Sequence, residues 1–301
     1  MEYINLTTKS WRDYELLDSG DNRKLERYGN YVVIRPETQA LWKPARPGLW
    51  KRAHAEFRWA EGKGAWAKKN MPESWEIGWE DIKCQVRLTS FKHTGVFPEQ
   101  AANWEWIRER VGKLHEPKVL NLFGYTGIAS IVAAKSAAHI THVDASKQSN
   151  AWAKENAELS GVPTDRIRYI TEDALKFAER EVRRGASYEG IVLDPPAFGR
   201  GAKGEVWKIE EALPRLLSLV QKVLTDKPLF VILTSYATDS SSLSLGYALS
   251  EIMKPARNAF SIADAGGNFS GEVEQGELCL LEKSNNRHIP LANTAVWSTI
   301  H

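Results

Sequence analysis

Cysteine is scarce. The 301 residues hold two, Cys84 and Cys279, in separate apolar runs far outside ligand spacing of one another. A disulfide framework and a structural zinc site are therefore unsupported, no metal is expected, and a reducing cytoplasm is the expected compartment. Long hydrophobic runs are missing as well: none approaches the ~20 residues a membrane-spanning helix needs. The opening stretch MEYINLTTKSWRDYELL lacks the basic-then-apolar order of a secretory signal. An excess of one charge is also absent, since 40 Lys and Arg stand against 38 Asp and Glu. No global polycation advertises a nucleic-acid partner, and no membrane is expected.

Tryptophan is abundant, and it is unevenly placed. Trp11, Trp42, Trp50, Trp59, Trp66, Trp75 and Trp79 crowd the first part of the chain, between Gly and Pro breaks and short alternating runs such as YVVIR, AEFRWA and IKCQVRL. Alternation with period two reads as half-buried strands. Residues 1–90 are thus expected to form a small mostly-β domain. The run PEQAANWEWIRERVGK then reads as a helix, with Pro98 in its first turn and Glu99 beside it. From residue 118 strands and helices alternate: KVLNLF, THVDA, IRYITED, EGIVLDPP and PLFVILTSYA each lead into a helical run, the fourth into one over about 206–224. That rhythm implies right-handed βαβ units and a parallel sheet covered on both faces. A second domain is expected over 91–284, closed by a hairpin of NAFSIADAG and GELCLLEKS, with 285–301 as a tail that docks or frays.

Ligands of such sheets bind outside the carboxyl ends of the strands, and the unusual polar residues of this half all lie there. The first strand runs into NLFGYTGIAS, where Gly124 and Gly127 allow a tight turn and close approach of backbone to a ligand ahead of a helix N-terminus. The spacing is not G-x-G-x-x-G, which opposes a dinucleotide-binding dehydrogenase. The second strand ends in Asp144, placed to accept the hydroxyls of a ribose. The third ends in Glu172-Asp173, where Asp173 serves either a ligand or as an N-cap. The fourth ends in Asp194-Pro195-Pro196 and Phe198.

This ordered set resembles the class I S-adenosylmethionine-dependent methyltransferases. VLNLFGYTG, VDASKQSNAWAKEN, DPPAFGRG and KHTGVFPEQ together look like the bacterial large-subunit ribosomal RNA methyltransferases, over roughly residues 85–240. The resemblance implies a Rossmann-like seven-stranded α/β sheet and S-adenosyl-L-methionine as cofactor. It places Phe123, Gly124, Tyr125, Thr126 and Gly127 around the methionine part, Asp144 with Ala145 and Ser146 at the ribose, and Asp173 at the adenine. Asn121 stands where many relatives carry aspartate. In KHTGVFPEQ the relatives' Asp-Gln-Arg ending is Glu99-Gln100-Ala101, so the arginine is missing; Gln100 and Phe97 are expected near the cofactor, or Pro98 to Gln100 merely begin the helix.

Asp194 and the carbonyls around Pro195 and Pro196 offer acceptors for the N–H edge of a planar ring, and Phe198 either stacks on its face or plugs the core. Carbon-5 methylation of cytosine needs a cysteine thiolate, which in the relatives follows the fifth strand. Here that stretch is LTSYATDSSS, with no cysteine, so a ring or exocyclic nitrogen is the expected acceptor. The catalytic set is then Asp194, Pro195, Pro196 and Phe198. The stretch 41–69 mixes lysines and arginines with tryptophans, which suits RNA, ribosomal or other, or else is a solvated face over a small core. Arg200 and Lys203 add loop charges nearby. The function expected is RNA base methylation; methylation of a protein side chain or small metabolite, and a non-catalytic RNA-binding protein on the same fold, are the alternatives.

Overall fold

The computed structural model describes residues 2–8, 11–60, 63–200, 204–236, 240–254 and 269–299. At the start of the chain the alternating runs become strands. They are β1 (Glu2–Thr7), β2 (Tyr14–Gly20), β3 (Arg23–Tyr28), β4 (Tyr31–Pro36), β5 (Ala55–Ala60), β6 (Lys63–Lys68), β7 (Ser74–Trp79) and β8 (Ile82–Arg87), with one helical turn, α1 (Pro47–Trp50). β2 to β6 form one sheet in sequence order, and β7 pairs with β8. Their inward side chains, among them Tyr14, Tyr28 and Trp79, are buried, as is Trp11 just ahead of β2.

A charged group lies within this small core. Glu26 is fully buried and accepts from Arg35 Nε and Nη2, both at 2.6 Å, and from the Tyr14 and Tyr28 hydroxyls at 2.9 and 3.1 Å. Burial alone would raise its pKa, but the Arg35 and Lys24 charges outweigh that and hold it at about 2. A buried carboxylate persists only where it is paired and hydrogen-bonded in this way.

The chain then passes through the turn Pro98–Gln100 into α2 (Ala101–Val111) and begins the alternating half: β9 (Lys118–Leu122), α3 (Ile128–Lys135), β10 (His139–Asp144), α4 (Lys147–Leu159), β11 (Ile167–Thr171), α5 (Ala174–Arg184) and β12 (Gly190–Leu193). After it come β13 (Phe198–Arg200), β14 (Val206–Lys208), α6 (Ile209–Lys222), β15 (Phe230–Ser235), α7 (Ser242–Met253), β16 (Glu272–Leu281) and β17 (His288–Ser298). β9 and β15 are buried almost throughout, as strands covered on both faces must be. The sheet order is β1-β16-β17-β15-β12-β9-β10-β11. β17 runs antiparallel to both neighbours and the other pairs are parallel. Among the described residues no helix is long and apolar enough to cross a membrane.

Four features depart from the sequence-based expectation. The sheet has eight strands, because β1 leaves the N-terminal strands and pairs with β16 as its edge. Residues 288–298, expected as part of a tail, are an inner strand of that sheet. The closing hairpin therefore joins β16 to β17, whereas NAFSIADAG lies outside the described residues. Val206 to Lys208, expected as the start of a helix, pair with Phe198–Arg200 instead. The tail hid its strand behind Pro290, which sits beside a register irregularity at Cys279, a place where a missing N–H is tolerated.

Candidate functional site

The strand order turns back between β9 and β12, so the loops leaving their carboxyl ends part and leave a crevice. Its lining includes Gly95, Phe97, Gln100, Asn121, the loop Phe123–Gly127, Val192, Asp194 and Thr234. In that loop Phe123 (φ 60°), Tyr125 (φ 48°) and Gly127 (φ 82°) all take left-handed backbone conformations, which cost energy for residues with a side chain. The surroundings impose them. Gly124 N–H donates to Val143 O, Gly127 N–H to Gly124 O, and the Thr126 hydroxyl to Gly95 O at 2.6 Å. A Cβ on Gly124 would lie 2.3 Å from the His142 ring, and one on Gly127 2.8 Å from Ala153 Cβ. Glycine is thus required at both positions.

Asp144 closes the base of the loop. Tyr125 N–H donates to Oδ2 at 2.9 Å and Ser146 N–H to Oδ1 at 2.8 Å. Burial raises its pKa, and the two backbone donors oppose that. Each oxygen keeps a lone pair beyond the one its N–H uses.

On the facing wall stands Asp194. Its Oδ1 is buried with no hydrogen-bond partner among the described residues, while Oδ2 meets Gln100 Nε2 at 3.4 Å. Burial, helped by the nearby Glu99 charge, lifts its pKa to about 8. The Gln100 amide is oriented from behind, because Asn103 Nδ2 donates to its Oε1 at 2.9 Å; the Gln100 NH2 is left facing Asp194 and the Tyr236 hydroxyl at 3.1 Å. The Thr8 hydroxyl donates to the carbonyls of Pro98 and Glu99, at 3.2 and 2.9 Å, and so anchors the turn carrying Gln100. Phe97 packs between Tyr236 and Tyr125, with ring centroids 5.0 and 5.7 Å away. A narrow crevice walled by rings, floored by strained backbone and holding one unpaired carboxylate oxygen is built to receive a ligand with N–H groups.

The sequence model of a family described as S-adenosylmethionine-dependent methyltransferase matches residues 50–229. The chain belongs to this family. A crystal structure of a SAM-dependent methyltransferase from Agrobacterium tumefaciens is 40% identical, with a TM-score of 0.91 over 99% of this chain and 94% of that one. Ribosomal RNA large subunit methyltransferase K of Neisseria meningitidis serogroup B is 30% identical over 178 residues, 57% of this chain and 49% of that protein. The K/L methyltransferase of Pseudoalteromonas translucida is 33% identical over 145 residues, 48% of this chain and 20% of that protein. The chain thus spans about half the length of the one and a fifth of the other.

For a member of the S-adenosylmethionine-dependent methyltransferase family the crevice fits its cofactor. Gly124 and Gly127 let the loop pack closely on His142 and Ala153 while lining the crevice, and acids stand at the ends of β10 and β12. Several expected residues also make bonds within the protein. Asp173 is the N-cap of α5, accepting from Lys176 N–H at 3.0 Å, and Ser146 caps α4 through Ser149 N–H. The Asn121 amide donates to Ser130 Oγ at 2.9 Å, which meets His142 Nδ1. The Pro196 carbonyl does not belong to an open acceptor patch, since the Trp207 indole already donates to it at 2.6 Å. Phe198 is no core plug: it is 55% exposed on β13. Lys203 and the Arg200 side chain lie outside the described residues.

Tyr236, Asn103 and Thr234 belong to the site, and the strand-end pattern does not single them out. Tyr236 is visible in the sequence as a polar aromatic at a strand's carboxyl end; Asn103 looks like an ordinary helical residue, and only tertiary packing reveals its bond to Gln100.

Proposed function

We propose that this methyltransferase acts on a nitrogen of a base in RNA, ribosomal RNA being the substrate named for its curated relatives. The unpaired Oδ1 of Asp194 carries the reading. A buried carboxyl oxygen without a partner is costly, and an amine or ring N–H presented by a planar base would satisfy it once the group ionises. When bound, S-adenosylmethionine supplies a methyl group on a positively charged sulfur, open to displacement by a nucleophile. The glycine loop and Asp144 would hold it. Gln100, fixed by Asn103, steadies Asp194 while the latter accepts from the base. Phe97, Tyr125 and Tyr236 exclude water, and the exposed Phe198 ring is available to a base face. Positioning of this kind supplies much of the rate of a direct displacement.

The cysteines support nitrogen over carbon. Burial pushes both thiols up to about 12, and neither lines the crevice, so neither offers the thiolate that carbon-5 attack needs. The Cys84→Ala plus Cys279→Ser variant is expected to transfer methyl groups at the wild-type rate, measured as tritium incorporated per minute. Loss of the chemical step in a folded, cofactor-binding double variant would return the carbon mechanism.

A pH profile provides a second check. The acceptor role requires the ionised carboxylate, and the free protein holds its proton up to about pH 8. kcat/KM should therefore rise with pH and level off above that value, and Asp194→Asn should flatten the rise. The substrate itself is tested by tritiated methyl transfer onto RNA and protein from a strain lacking the enzyme, followed by nucleoside mass spectrometry. Label in an N-methylated nucleoside is expected; label confined to protein overturns the RNA reading.

A further inference from the structure

Most rings of the N-terminal strands are buried or half-buried, but Trp59 on β5 is 62% exposed and Phe91, in the loop after β8, is 66% exposed. Neither stands alone. Trp59 meets Phe57 edge to face at 5.3 Å, and Phe57 meets Trp66 at 5.3 Å. The Trp66 indole donates to the carbonyls of Thr89 and Phe91, at 2.7 and 3.2 Å, and so fixes the loop that presents the Phe91 ring. The same loop leads on to the crevice. His93 packs on Phe97 at 5.3 Å, and Phe97 touches the Tyr236 and Tyr125 rings already described. Gly64 pairs with Trp59 across the ladder, and a Cβ there would sit 2.2 Å from the Phe57 ring, so a bare position keeps this row packed.

Basic groups flank the row. Lys68 on β6, which shares the face of Trp66, and Lys69 just beyond are exposed. β6 is the edge of its sheet, where lysines by themselves would serve to discourage pairing with another chain. An exposed tryptophan and phenylalanine do the opposite, inviting association. A planar, anionic partner accounts for both at once: rings for its faces and ammonium groups for its charges.

We infer that Trp59 and Phe91 form a stacking platform for unpaired bases of a single-stranded RNA segment leading into the crevice, with Lys68 and Lys69 meeting its phosphates. The inference rests on the RNA substrate proposed above. Paired bases hide their faces in the duplex, so the platform selects single strands; every base has a π face, so it tolerates any sequence.

Binding of a fluorescein-labelled single-stranded oligouridylate, with a duplex RNA of equal length as comparison, tests this. Wild-type protein is expected to prefer the single strand, with log affinity falling as log salt rises. Trp59→Ala with Phe91→Ala should weaken binding about 10- to 100-fold and raise KM for RNA in step, leaving the Kd for S-adenosylmethionine and kcat at saturating RNA unchanged. Trp59→Phe keeps a ring and should restore most of the affinity that Trp59→Ala forfeits. Lys68→Gln with Lys69→Gln should make the salt slope shallower by about 0.7 for each phosphate no longer neutralised. Wild-type affinity in the folded Trp59→Ala/Phe91→Ala protein would overturn the platform while leaving RNA methylation standing. Wild-type protein that neither binds nor labels RNA would overturn both.

Discussion

Replacing Asp194 by alanine is expected to lower kcat by about 10^2–10^3-fold, the loss usual when a preorganised polar group is removed from a reacting centre, with little change in the Kd for S-adenosylmethionine. The expectation follows from where each oxygen goes. Oδ2 is shared with Gln100, but Oδ1 is sealed from water and has no partner among the described residues, so its hydrogen bond forms only with the acceptor in place. An interaction made only with the reacting group appears in kcat rather than in cofactor affinity. Isothermal titration and single-turnover methyl transfer separate the two; a large loss of cofactor affinity would move Asp194 to the cofactor side. The same variant should gain stability. The folded protein holds the Asp194 proton up to about pH 8, against an ordinary value of 3.8. Between those values folding is opposed by ionisation, and above about 8 the penalty is complete. The melting temperature of Asp194→Ala relative to wild type should therefore climb across that window and stay flat above it, as befits a group kept for activity at the expense of stability.

The largest stability loss is expected from Glu26→Ala, at about 3–5 kcal/mol, because removing one partner of a buried ion pair leaves the other charge uncompensated. Arg35 would face the core without a counter-charge, Lys24 would keep only Glu37, and the Tyr14 and Tyr28 hydroxyls would lose their acceptor. Urea denaturation at neutral pH measures it. With Glu26 held at about 2 in the folded protein against an ordinary 4.5, its contribution is present above 4.5 and is lost as the pH falls through that value towards 2. The wild-type and Glu26→Ala stabilities should accordingly converge in acid. A difference below about 1 kcal/mol at neutral pH, the range of an exposed ion pair, would mean that water reaches Arg35.

What could be read from the chain was what local order encodes. The repeating strand and helix runs from residue 118, the glycine turn at Gly124 and Gly127, and the acids closing β10 and β12 each announce themselves within a few neighbours, and they frame the crevice. Pairing between distant segments does not announce itself. β1 finds β16 because the sheet leaves an edge there, and nothing in EYINLT indicates it. Asn103 orients Gln100 through a bond that depends on how the preceding turn enters α2. Asp173 and Ser146 show the converse: a carboxylate or hydroxyl at a strand end suits a ligand and a helix cap equally, and the order of residues does not show that both side chains cap a helix.

The pairing of β1 with β16 also sets an order of events during synthesis. Tyr3 leaves the ribosome 274 residues ahead of its partner Glu277. At ~5–20 residues per second that is a delay on the order of 15–50 s. Through that interval β1 has no β16 to join, and the sheet is completed at that edge only when β16 emerges.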